Sequence, residues 1–211
     1  MFLFALAAQL SLPTITNARV PDARAIFTGD DFPAFLLKQG DADRIVHTRT
    51  TVRPDGTIEN CVAESSSGDQ RLDAYTCALI VKRAKLNPAR WIDGSAVYGV
   101  LRMPVRWMIL NSIDDLSERS PDLEVSVNHL PKGAHSFVDV QLQIAADDKG
   151  HPVSCVEWQP PPNASGKHFP ELVPIACQQA TASLTLSPPV DASGKPERSV
   201  QSVFVDFKLG Q

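Results

Sequence analysis

Alternation is the first pattern along the chain. Val46, Thr48, Thr50 and Val52 alternate with polar neighbours, the two-residue period of a strand with one buried face. Pro54-Asp55-Gly56 then predicts a turn, because proline fixes φ and glycine accepts φ > 0. Residues 57–63 predict a returning strand, so the two make a hairpin. Ahead of it, Asp30-Asp31-Phe32-Pro33-Ala34-Phe35-Leu36-Leu37 reads as a short helix. Asp31 is its candidate cap, Pro33 sits in its first turn and Gly40 ends it.

The run Ser65-Ser66-Ser67-Gly68-Asp69-Gln70 breaks the second strand and starts another helix. Ser67 and Gln70 have the spacing of a capping box, and Asp69 is an alternative cap. Leu72, Tyr75, Leu79 and Leu86 lie along one side of a helix reaching about Leu86. Lys82, Arg83 and Lys85 fall in its last turns, where cations suit the helix dipole. Asn87 before Pro88 stops it. Asp93-Gly94 turns the chain into a third strand. Val97, Gly99, Leu101, Met103, Val105 and Trp107 fall on one face, Arg102 and Arg106 on the other. Pro104 lies inside that pattern and cannot donate to a ladder, which predicts an edge strand. The expected unit is a three-stranded antiparallel sheet with helices packed on one face and a partly open edge. Residues 111–122 are polar with Pro121 near their end, and read as a linker or a short helix.

The second half repeats these landmarks. Gly150 to Cys155 matches Gly56 to Cys61, and Cys177 to Pro188 matches Cys77 to Pro88. Gly94 and Gly194 correspond, as do Met103 and Val203, Val105 and Val205, and Trp107 and Phe207. The paired cysteines are 16 residues apart in the first half and 22 in the second. The added residues fall in Pro160-Pro161-Pro162-Asn163-Ala164-Ser165-Gly166, a loop where insertion costs little. A length of 211 residues allows one large domain or two small ones, and the repeat argues for two of one fold. The expected domains span residues 24–110 and 123–211.

Composition narrows the function. Charged residues are 21% of the chain against 43% hydrophobic, which predicts a packed protein rather than a disordered one. A net charge of −4 lacks the basic field of a sequence-independent nucleic-acid binder. The apolar run over residues 2–12 is too short to span a bilayer and suits a signal-peptide core, although no basic stretch precedes it. Thr16-Asn17-Ala18 offers a cleavage point, so residues 1–18 are read as a signal peptide and the protein as exported. Cys61, Cys77, Cys155 and Cys177 form no C-x-x-C, which argues for disulfides over zinc. Of the three pairings, only Cys61–Cys77 with Cys155–Cys177 treats both copies alike.

No catalytic constellation is visible. His47, His129, His135, His151 and His168 are scattered, without H-E-x-x-H. Ser65 to Ser67 lack the G-x-S-x-G elbow and read as strand end and helix cap. Asp114-Asp115 and Asp147-Asp148 read as solvated turns, and Asn163-Ala164-Ser165 is a three-residue sequon match. The expectation is a protein that is not an enzyme and needs no cofactor or metal.

The first copy resembles the C-terminal domain of the TonB family of energy transducers. The resemblance is carried by Phe32-Pro33-Ala34, Pro54-Asp55-Gly56, Ser66-Ser67-Gly68, Leu72-Asp73, Asn87-Pro88-Ala89, Asp93-Gly94 and Pro104-Val105-Arg106-Trp107. The second copy keeps only the glycines, the cysteines, Pro188 and the terminal strand. Fold class is therefore expected to be α+β, with two tandem small TonB C-terminal-like domains, the second degenerate. The resemblance implies a periplasmic binding module that captures a short extended segment of outer-membrane receptors, the TonB box, by strand addition. The candidate partner-binding edge is Val97, Val100, Leu101, Arg102, Met103, Val105, Arg106 and Trp107. The family's inner-membrane anchor and Pro-rich spacer are not in this sequence, so anchoring would need an upstream segment. The alternative is an envelope scaffold whose two domains pack on each other and bind no receptor.

Overall fold

The computed structural model describes residues 14–22, 25–39, 43–108, 120–134, 136–159 and 168–210. Residues 111–119 of the expected linker 111–122, the proline-rich insertion and the sequon lie outside the described residues, as do Asp114, Asp115 and His135.

The predicted hairpin forms. Strands β1 (Asp43–Val52) and β2 (Ile58–Ser65) pair antiparallel, joined by a turn in which Gly56 takes φ 84°. A Cβ on Gly56 would lie 2.4 Å from the Leu86 carbonyl oxygen, so close packing as well as the turn requires glycine. Helix α1 (Ala34–Gln39) follows a 3-10 turn at Gly29–Asp31. Asp31 caps neither through the expected route; it accepts from the Thr28 amide and hydroxyl and pairs with Arg83.

Helix α2 (Gln70–Arg83) starts at Asp69, whose carboxylate accepts the Arg71 amide. Of the two cap readings, the structure takes this one. Ser67 bonds to Asp73 instead of closing a box with Gln70. The helix ends three residues short of Leu86, which lies in the extended stretch leading to a short strand, β3 (Ala89–Arg90), that sequence reading missed. β4 (Ala96–Met108) runs the length of β1 in antiparallel register. Leu72, Leu79, Ile80, Val46, Val105 and Trp107 form the core between this sheet and α2.

In the second half, β6 (Phe137–Ala146) pairs antiparallel with β7 (Pro152–Glu157) and with β8 (Ser199–Leu209), and α3 (Val173–Ser183) packs on them. Its core holds Leu142, Ile144, Ala176, Ala180, Val203 and Phe207. Gly150 repeats the part of Gly56: a Cβ there would lie 1.8 Å from the Leu186 carbonyl oxygen, and the Leu186 amide donates to Gly150. A further short strand, β5 (Leu123–Val127), pairs in parallel with the end of β8.

The sequence leaves open whether the two expected sheets join, and they do. β4 and β8 pair in parallel at Tyr98–Ser199, Gly99–Val200 and Val100–Gln201, giving one mixed sheet in the order β2-β1-β4-β8-β6-β7. At this seam Gly99 and Val200 share a face. Gly99 points with Val105 and Trp107 toward α2, whereas Val200 alternates with Val203 and Phe207, which point toward α3. The two helices therefore lie on opposite faces, and the halves are related by an approximate two-fold axis along the seam strands.

The N-terminal segment packs over the seam. Ile15, Asn17 and Ala18 are buried, and Thr16 and Arg19 bridge to Arg90 and Asn87. Residues 16–18, the expected cleavage point, lie in this packed segment.

Candidate partner-binding edge

The candidate residues on β4 divide into two groups. Val97 pairs with Ala89 of β3, and Val100 pairs with Gln201 of β8. Both were expected on an open edge, and both lie in segments where strand neighbours are already present. Leu101, Arg102, Met103, Val105, Arg106 and Trp107 are different. They pair with β1, and no described strand lies along their other side. Pro104 sits in the middle of this half, where a missing donor is tolerated.

The divergence of β4 from β8 has a side-chain wedge. The Arg102 guanidinium, only 10% exposed, donates to Glu64 and Asp122, each at 2.5 Å, and lies over the Phe204 ring at 4.7 Å. Asp122 accepts the Phe204 amide at 2.8 Å and donates its own amide to the Phe204 carbonyl. It takes the place beside β8 that β4 gives up, and leads into β5. Arg102 was expected on a polar solvent face; the structure makes it a partly desolvated clamp between the halves.

A recess opens beside the far end of the same edge. Phe27, Thr28, Gly29, Phe32 and Leu37 face Val105, Arg106, Trp107 and Met108 around a volume of about 400 Å³. Trp107 forms its back wall and is held from three sides. Phe27 and Phe32 meet it edge-on, with centroids 5.7 and 6.3 Å away, and its ring N–H donates to the Thr76 hydroxyl at 2.9 Å. Such geometry fixes an otherwise mobile ring. Leu37 at the rim is 56% exposed, an apolar side chain without cover among the described residues. Sequence reading missed Phe27 and Leu37; the signal available was the cluster of aromatics ahead of α1.

Two devices hold this wing rigid. The Asp73 carboxylate gathers the Ser66 hydroxyl (2.5 Å), the Ser67 amide (2.9 Å) and the Ser67 hydroxyl (2.8 Å), which explains the Ser-Ser-Gly and Leu-Asp pattern as a loop clamp. Arg83 fixes the 3-10 turn under the recess by pairing with Asp31 through both nitrogens, at 2.5 and 2.8 Å. That guanidinium, aided by the Thr28 amide and hydroxyl, holds the Asp31 carboxyl well below the usual carboxylate range. The cysteines staple strand to helix in each half: Cys61 to Cys77 and Cys155 to Cys177, with Cα atoms 5.5 and 5.7 Å apart.

A strand edge with no described strand along it, beside an apolar recess, can hold an extended chain through main-chain hydrogen bonds and one anchoring side chain. The family model described as Gram-negative bacterial TonB protein C-terminal matches residues 32–109, the segment that carries the edge and most of the recess. No curated protein and no solved structure matches the chain.

Proposed function

We propose, taking residues 32–109 as the TonB C-terminal domain that their family match makes them, that this chain is a periplasmic module of envelope transport that captures an extended segment of an outer-membrane receptor. The domain family is one of transport and binding modules, not of enzymes, and its members interact with outer-membrane receptors. The observation that carries the reading is the half-open β4: residues 101–108 have β1 on one side and no described strand on the other. The captured segment would add a strand there and place one bulky apolar side chain in the Phe27–Phe32–Trp107 recess. Two disulfides fit an oxidising compartment. Among the described residues, no helix is long and apolar enough to cross a membrane. Residues 123–211 are read as a diverged second copy, supported by the matching glycines, disulfides and strand order.

The test is an NMR titration of the oxidised chain with TonB-box peptides. Capture predicts shifts confined to residues 101–108, Phe32 and Leu37, saturating between micromolar and millimolar peptide. A spectrum unchanged across that range removes the reading. The scaffold alternative would then stand, favoured by one observation: β8 already occupies part of the β4 edge.

A further inference from the structure

The seam between the halves is short. β1 pairs along the whole of β4 from Gly99 to Met108, and β6 runs along β8 from Ser199 to Lys208, whereas β4 meets β8 only at residues 98–100. What crosses the seam is the N-terminal segment. It is fixed to the first half by four main-chain bonds. The Thr16 and Arg19 amides donate to the Arg90 and Asn87 carbonyls, at 3.1 and 3.0 Å, and the Arg90 and Asn87 amides donate back, at 2.8 and 2.9 Å. From that anchorage Asn17 reaches over. Its side-chain amide donates to the Val100 carbonyl on β4 (2.9 Å) and the Ser202 hydroxyl on β8 (3.0 Å), and its main-chain amide donates to the Gln143 side chain on β6 (2.9 Å). Ile15 packs with Ala89 and Val97 of one half and Ala145 and Val200 of the other.

Gly99 makes this crossing fit. It sits inside a strand, where glycine costs stability, and a Cβ there would lie 2.7 Å from the Ala18 Cβ and 3.0 Å from the Asn17 side-chain oxygen. The absent side chain is the space the strap occupies. One further, partly buried tie crosses the seam, Arg102 with Asp122 and Phe204. Arg198 forms more exposed ties: it lies over Trp91 at 4.9 Å and donates to Ser95, with Asp93 at 3.8 Å. Such solvated pairs contribute little.

We infer that residues 15–19 are a latch that sets the length of the open β4 edge. Latched, β8 covers residues 98–100 and only residues 101–108 can take an added strand. Unlatched, β8 leaves with its own half, and the edge extends back to Tyr98. The latch deepens the capture reading above and rests on it for its purpose, but its mechanical part is independent of any ligand. Release of the strap breaks the Asn17 bonds to Ser202 and Gln143 and the Ile15 contacts to Ala145 and Val200; parting β8 from β4 then costs the three-residue ladder and the Arg102 ties to Asp122 and Phe204. Both disulfides and both cores stay intact, so opening is local rather than global.

Hydrogen exchange on the full oxidised chain tests this, with Asn17→Ala and, independently, Gly99→Ala, whose added Cβ meets Ala18 and Asn17 of the strap first. Both variants should speed exchange of the amides at residues 98–100 and 199–201 by about tenfold, the effect of losing two buried side-chain hydrogen bonds. Amides of Val46 and Leu142 should keep their wild-type rates. Unchanged seam amides in both variants would overturn the latch, as would seam and core amides accelerating together. A TonB-box peptide should bind the variants more tightly and extend its protection to Tyr98. If peptide binds all forms with the same footprint while the seam opens, the gating claim fails and capture stands. If peptide binds none of them, capture fails, and the exchange result still decides whether the latch exists.

Discussion

β4 and β8 close their respective halves with the same part in the topology, yet they end differently. Both pair antiparallel with the first strand of their hairpin. β8 is then covered on its other side as well, by β4 at residues 199–201 and by β5 at residues 205–209, and its side chains from Ser199 to Phe207 are buried. Among the described residues, β4 gains a second neighbour only at its start, and Pro104 and Arg106 beyond it are exposed or half-buried. Covering an edge is the usual protection against unwanted strand pairing, and leaving one open is the exception that needs a reason. The difference teaches that the closing strand of one fold can be covered along its outer side or left open by the strands added beside it.

Three experiments would break or sharpen this comparison. The largest effect should come from the disulfides, which the halves share. Replacing Cys61 and Cys77 by serine, or Cys155 and Cys177, should cost about 3 kcal/mol in either half in the chain-entropy account, with the 22-residue loop losing slightly more than the 16-residue loop. Urea unfolding of the two double variants measures it. A loss in only one half would show that the staples are not equivalent.

Next come the hairpin glycines. Gly56→Ala and Gly150→Ala each place a side chain at positive φ against a backbone carbonyl, and each should lose more than about 2 kcal/mol. Gly150→Ala should lose more, because its Cβ would meet Leu186 at 1.8 Å rather than Leu86 at 2.4 Å. The reverse order, from thermal or urea midpoints, would mean that the loop before Pro188 yields more readily than the one before Pro88.

The smallest effect is one of acid, read at the Arg83–Asp31 pair of the first half. Asp31 has its carboxyl pKa depressed by Arg83. A depressed carboxylate contributes stability that is present above its unfolded pKa of about 4 and lost as pH falls toward the folded value. Arg83→Met should flatten the stability profile below pH ~4. Loosening should appear first at Phe27, Phe32 and Trp107 by NMR, with α3 unaffected. Acid loosening that begins in α3 would contradict the assignment.

Local chemistry made much of this legible. The hairpins, α2 with its Asp69 cap, and the strand alternation of β4 follow from turn residues, caps and periodicity, although α2 ends three residues before the expected Leu86. The cysteine spacing led to the same two pairs that the structure joins. What stayed hidden depended on long-range placement. Nothing near Val97 or Val100 announces that β8 will pair there, because parallel pairing of distant strands leaves no local mark. β5 is short, and its partner is β8, more than seventy residues away in the sequence. Arg102 reads as surface charge until Glu64, Asp122 and Phe204 converge on it. One missed signal was local: Gly99, an isolated glycine within a strand, marks the close approach of another backbone.

The opposite placement of α2 and α3 also settles what the molecule shows to its surroundings. Half a turn about the seam carries one helix roughly onto the other, so each face of the sheet has a helix over a different half. The strap at residues 15–19 and the part of β4 with no described strand beside it have no counterpart in the other half among the described residues. Those two features tell one face from the other, and a target that distinguishes the faces must read them.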